Sequence, residues 1–89
     1  MQEIPIKACR NLGASSEKML ASIDVRTLQD LIQVGVVETY CLVKAKHEQV
    51  SLNLLYALYG AVHDIAWQEI SPDIKAQLLE DVKGFRFGK

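Results

Sequence analysis

Five consecutive residues, Cys9-Arg10-Asn11-Leu12-Gly13, have the types and spacing of a turn that holds a phosphate group between two helices. In such a turn one apolar residue, here Leu12, plugs the space between the helices. Its neighbours occupy left-handed or crowded backbone, which glycine adopts freely and asparagine less readily. Gly13 leads into a helix whose first amides lack intrahelical partners and carry partial positive charge, so they attract an anion. Arg10 just before the turn and Lys18 one helical turn beyond add charge, and Ser15 stands at the helix start. Arg10, Asn11, Leu12, Gly13, Ser15 and Lys18 thus form a candidate DNA-phosphate site of helix-hairpin-helix shape. Two features weigh the other way. Asn11 stands where phosphate-holding turns usually carry a further glycine, and Asp24 in the next turn would repel a phosphate. The same residues also read as a structural helix-to-helix connection with no ligand.

No other constellation points to chemistry. His47 and His63 are far apart in sequence, and His63 suits a helix C-terminus, where a cation meets the negative end of the dipole. Ser15 and Ser16 lack a nearby base and a Gly-x-Ser-x-Gly elbow. There is no phosphate loop or nucleotide fingerprint. Cys9 and Cys41 do not form a Cys-x-x-Cys pair, so the spacing suggests neither zinc nor redox chemistry. Both fall in apolar positions that suit buried, reduced thiols. No catalytic residue, metal site or cofactor is expected, and the chain reads as a non-enzyme. Trp67 is expected to pack on the most apolar helix with its N–H bonded to backbone; the alternative is a surface anchor for a partner.

The elements that must position these residues are all helical in spacing. A first helix is predicted to start at Pro5, with Ile4, Ala8, Cys9 and Leu12 on one face and Gly13 ending it. A second covers about residues 15–22, with Met19, Leu20 and Ile23 inward and Gly13 or Ser15 as cap. After the tight connector Asp24-Val25-Arg26, Thr27-x-x-Asp30 signals a third helix with Leu28, Leu31 and Ile32 inward, stopped by Gly35. A fourth covers about residues 37–46, with Val37, Tyr40, Cys41 and the stem of Lys44 inward. Ser51 caps the fifth, residues 52–64, which is apolar on most sides and so belongs at the centre. Ser71-Pro72-Asp73 starts a sixth, running to about Val82, with Gly84 ending it. Residues 82–89 are expected to be a loose tail. The result is an all-α, compact domain of five to six helices in a helix-hairpin-helix or SAM-like arrangement.

With 89 residues the chain has room for one domain, residues 1–89. Hydrophobic residues at 49% and charged residues at 24% fit a folded domain and exclude a disordered segment. A net charge of −1 excludes a strongly basic nucleic-acid protein. Any DNA affinity would be weak, non-specific and salt-sensitive, about 10⁻⁴–10⁻⁶ M at physiological salt. Residues 1–46 carry six basic and five acidic side chains, residues 47–89 four and six, so the N-terminal half is the better candidate. The start of the chain lacks the pattern of a signal peptide. The most apolar run, residues 54–62, is far short of the ~20 needed to cross a bilayer. A cytoplasmic protein with no membrane contact is expected.

Two segments together resemble a known family. Arg10-Asn11-Leu12-Gly13 with Ser16, and Ser51-Leu52-Asn53-Leu54-Leu55-Tyr56-Ala57-Leu58 with Gly60-Ala61 and Trp67, are similar to the C-terminal domain of the TfoX (Sxy) family over about residues 7–82. The resemblance implies an all-helical domain related to helix-hairpin-helix folds and no enzymatic activity. It implies a regulatory link to competence for DNA transformation, where full-length TfoX-like proteins co-activate transcription alongside the cyclic-AMP receptor protein. The longer members carry another domain before this one, and the chain beginning at Met1 is expected to lack it. Asp24-Val25 departs from a Gly-Ile pair in the family pattern.

The expected function is therefore a regulatory module with weak DNA binding at the Asn11 turn. The alternative is a protein–protein module that contacts a transcription regulator or a copy of itself, with Trp67, Phe85 and Phe87 as contacts.

Overall fold

The computed structural model describes residues 3–85. Local signals set most helix starts. Thr27 caps α2 (Leu28–Val34), its Oγ1 accepting from the Asp30 N–H at 3.1 Å. Asp30 reaches back and accepts from the Arg26 N–H at 3.0 Å, so the two residues satisfy free amides reciprocally. Ser51 Oγ accepts from the Asn53 N–H at 3.2 Å and caps α4 (Leu52–His63). Ser71 Oγ accepts from the Ile74 N–H at 3.2 Å and caps α5 (Pro72–Gly84), with Pro72 in its first turn. By contrast, α1 (Ala14–Ala21) opens on Gly13 with no side-chain cap. Gly35 alone separates α2 from α3 (Val36–Lys46). Its φ of 98° lies where a side chain is strained, which explains why a glycine makes that corner.

α4 is the central helix. Leu54, Leu55, Ala57, Leu58, Gly60 and Ala61 are buried along it, and it packs on α2, α3 and a short 3₁₀ turn, Trp67–Glu69. Ile6, Leu20, Leu31 and Val43 close the core around it, each fully buried. Each such side chain contributes roughly 1.5–3 kcal/mol by leaving water. Among the described residues no strand forms, and the all-α class stands.

The N-terminal segment is where the sequence reading fails. The predicted first α-helix is a single 3₁₀ turn, Ile6–Ala8, with Pro5 preceding it in extended conformation. Tertiary pairing overrides the helical spacing. Pro5 bridges to Thr27, the Leu28 N–H donates to the Ile4 carbonyl at 2.8 Å, and the Ile4 N–H donates to Gln29 Oε1 at 3.1 Å. The inward face changes accordingly: Ile6 is fully buried, Cys9 and Leu12 are buried, and Ile4 and Ala8 are exposed.

Other corrections are smaller. Ile32 is 55% exposed rather than inward, because α2 turns Leu31 to the core and leaves its neighbour outside. On α3, Thr39, Tyr40 and Val43 are buried, whereas Val37 and Cys41 are half-buried. Lys44 is exposed, and its ammonium donates to the Glu48 and Val50 carbonyls beyond the helix end. Among the described residues the buried Thr39 hydroxyl has no hydrogen-bond partner. α5 continues through Gly84, so residues 82–84 are helical, and Phe85 is half-buried. The rest of the expected tail, including Phe87, lies outside the described residues.

Candidate functional site

Asn11 is the centre of the candidate turn. Its φ of 74° is left-handed, as the sequence predicts for this position. Its side chain turns inward and bridges to the far end of α4. The Asn11 Nδ2 donates to the Ile65 carbonyl at 2.8 Å, and Asn11 Oδ1 accepts from the Trp67 N–H at 3.2 Å. An amide can do both because it carries a donor and an acceptor on one planar group. Gly60 makes room for it. A Cβ on Gly60 would sit 2.2 Å from Asn11 Nδ2 and 2.6 Å from the Ile65 carbonyl oxygen. Asn11, Gly60 and the 65–67 segment therefore form one latch between chain regions more than 50 residues apart.

The remaining candidate residues divide. Leu12 is buried at 7% exposure and serves as the predicted plug. Gly13 caps α1 with an extended φ of −137° and open space where a Cβ would stand, so neither conformation nor crowding demands glycine there. Arg10 is exposed and borders a cavity of about 350 Å³ with Asp64, Ile4 and Val62. Asn11 borders a different groove of about 290 Å³. Ser15 and Lys18 are exposed and border neither. The helix that was to precede the turn is absent, so the turn does not join two α-helices.

The connection that does join two α-helices is the next one. Val25 N–H donates to the Leu20 carbonyl at 2.9 Å and Asp24 N–H to the Ala21 carbonyl at 3.0 Å, closing α1 with a Schellman pattern. Asp24 takes the left-handed position, φ 65°, and Val25 is buried at 1%. The anion-attracting features of this turn are already occupied. Arg26 pairs with Asp24 at 3.0 Å, and the Arg26 amide is taken by Asp30.

Two lysines are engaged within the fold. Lys46 donates to the Ser22 carbonyl at 2.8 Å, and the Lys75 ammonium lies 5.1 Å from the Tyr56 ring and 5.9 Å from the Trp67 ring. Both distances suit cation–π attraction. His47 Nε2 lies 3.3 Å from Ser22 Oγ, and the His63 ring stacks on Tyr59 at 4.2 Å, so each histidine has a surface contact. Among the described residues no three potential metal ligands cluster. Burial pushes the Cys9 and Cys41 thiols up, with Glu38 adding to the effect at Cys41. Cys9 donates to the Pro5 carbonyl at 3.5 Å. Neither thiol is primed as a nucleophile. Burial, then Cys41 and Tyr56, also raises the Tyr40 phenol.

Trp67 only partly follows expectation. It sits against α4 in the short 3₁₀ turn, but it is half-buried, and its backbone N–H, not its indole, makes the hydrogen bond. It forms one wall of the 290 Å³ groove, together with Ser16 and Met19 of α1 and Asn53, Leu54 and Ala57 of α4.

Residues 2–82 match the family model described as the TfoX C-terminal domain. The chain belongs to the TfoX C-terminal domain family. The crystal structure of an uncharacterized protein from Listeria monocytogenes is similar, with a TM-score of 0.81 and 26% identity over 92% of this chain and 97% of that one. No curated protein matches. The TfoX C-terminal family is a non-catalytic, regulatory type of domain. No helix among the described residues is long and apolar enough to cross a membrane.

In this TfoX C-terminal domain the two segments that carry the family likeness meet in space: Asn11 from the first touches Ile65 and Trp67 across Gly60 of the second. Sequence reading missed the part played by Gly60. The available signal was a glycine inside a strongly apolar helix, which marks a close approach of something to the backbone.

Proposed function

We propose that this TfoX C-terminal domain is a regulatory module, linked to competence for DNA transformation, that works by docking onto a protein. A transcription regulator fits that description, as does a second copy of the chain, and a cytoplasmic location goes with either. What supports the reading is the internal use of the turn. Asn11 and Leu12, the residues that would shape a phosphate cradle, are engaged in the latch and the core. A labelled DNA duplex titrated with the full chain, followed by fluorescence anisotropy at low and moderate salt, is expected to show no saturable binding.

A second reading keeps the DNA contact. Arg10, Ser15 and Lys18 are exposed around the start of α1, and among the described residues neither Arg10 nor Lys18 has an ion-pair partner. Weak, non-specific binding would then fall steeply with salt. Saturable, salt-sensitive binding that is lost in Lys18→Glu would establish this second reading and displace the first. Lys18 is exposed, so the variant is expected to fold.

A further inference from the structure

The helix α5 is held differently from the helices around it. Of its thirteen residues Leu78 alone is buried, against six of the twelve in α4. Ile74, Leu79 and Val82 lie half-buried against the core, so α5 rests on it by a narrow apolar stripe. It packs on α3, and near its end the two helices leave a crevice of about 240 Å³ bordered by Tyr40, Cys41, Lys44, Ala45, Val82 and Phe85. The side-chain bonds from Gln77 to Asp81 and between Lys83 and Glu80 stay within the helix. The cap travels with it too, since Ser71 Oγ accepts from the Ile74 N–H and the Ser71 carbonyl from the Lys75 N–H. Lys75 reaches the Tyr56 and Trp67 rings, but at 5.1 and 5.9 Å and half-buried such a contact is weak. The joint with the body is Ser71, between the buried Ile70 and Pro72. Proline confines the residue before it to extended backbone, and Ser71 stands at φ −68°, ψ 155°. The joint is therefore already in the conformation that an outstretched helix uses.

We propose that α5 is an exchangeable helix, and that two copies of this chain pair by seating each α5 on the α3 face of the other. The proposal rests on the docking reading above and commits it to a second copy as partner. A free helix of thirteen residues is marginal in water, so a released α5 stays helical only against an apolar face that fits it. The structure shows such a face and what covers it: the side of α3 that carries Tyr40 and Cys41, covered by α5 itself. On a second copy the identical face takes the identical helix with its contacts kept. Exchange of an identical element is for that reason a low-cost route to a two-fold dimer.

The test mixes isotope-labelled and unlabelled full chain at millimolar concentration, warms the mixture to just below its melting midpoint and cools it. Size-exclusion chromatography with light scattering reads the dimer, and isotope-filtered NMR reads which contacts cross between copies. The dimer-to-monomer ratio is expected to rise about tenfold when free monomer rises about tenfold. Contacts from Leu78 and Val82 of one copy to α3 of the other are expected in the dimer. On dilution in the cold it should revert slowly, because each α5 must leave its seat first. Absence of a dimer overturns the proposal and leaves docking onto another protein intact. A dimer that keeps the α5-to-α3 contacts within each copy also overturns it and places self-association on another surface. The docking reading fails separately, on the DNA titration.

Discussion

The turn at Asn11 and the turn at Asp24 start from the same local problem. Each places a non-glycine residue in left-handed backbone, with φ of 74° and 65°, and each sits beside a buried apolar residue, Leu12 or Val25. Their solutions differ in range. The Asp24 turn closes within its own six residues through the Leu20 and Ala21 carbonyls, and its side chain stays outside, paired with Arg26. The Asn11 turn uses its side chain to reach Ile65 and Trp67. A left-handed residue is therefore not by itself a sign of a ligand site. What it does is decided by where its polar atoms find partners.

Breaking the long-range turn should cost most. Asn11→Ala removes two hydrogen bonds, leaves the Ile65 carbonyl and Trp67 amide without these partners, and places at positive φ a residue that tolerates it less well than asparagine. A loss of about 2–4 kcal/mol is expected in urea denaturation. Gly60→Ala should cost a similar amount, because its Cβ would occupy the space of Asn11 Nδ2. The double variant should cost clearly less than the two singles together, since both break one latch. Additive losses would show that Asn11 and Gly60 act independently.

The short-range turn should respond in the opposite direction. Asp24→Gly relieves the left-handed strain and is expected to stabilise by up to ~1 kcal/mol, a gain of several degrees in Tm. It also removes the pair with Arg26, whose side chains are 64% and 85% exposed. Such pairs contribute little, so the gain should survive. A marked loss instead would mean that Asp24 has a partner beyond its own turn.

The smallest effect separates the two turns by pH. The buried Cys9 thiol is raised by desolvation, so the fold prefers its neutral form. Its stabilising effect is present below the ordinary thiol range and is lost as pH rises through it, because the unfolded chain ionises first. Thermal denaturation from about pH 7 to about pH 10 should show a decline that Cys9→Ala lessens. Cys41 and Tyr40 are shifted in the same direction and should retain their share.

How much of this was legible in the sequence follows the same division by range. The caps at Thr27, Ser51 and Ser71 and the corner at Gly35 involve residues a few positions apart, and their side-chain types announce them. The central place of α4 follows from its composition. The N-terminal segment was misread as a helix because its extended pairing partner, the start of α2, lies more than 20 residues away. The left-handed Asn11 was readable, but not the distant partners of its side chain. The groove that Trp67 lines was not foreseen, since it needs α1, α4 and the second 3₁₀ turn together.

The latch also orders events in time. The hydrogen bonds of α1, its Schellman close and α2 join residues a few positions apart, whereas the Asn11 side chain has nothing to bond until Ile65 and Trp67 have been synthesised and docked. Closing so long a loop is slower than closing a helical hairpin. A nascent chain that stops short of Trp67 lacks one of the two partners of the Asn11 side chain. Protection of the Trp67 amide from hydrogen exchange is thus a clock for the last step of assembly.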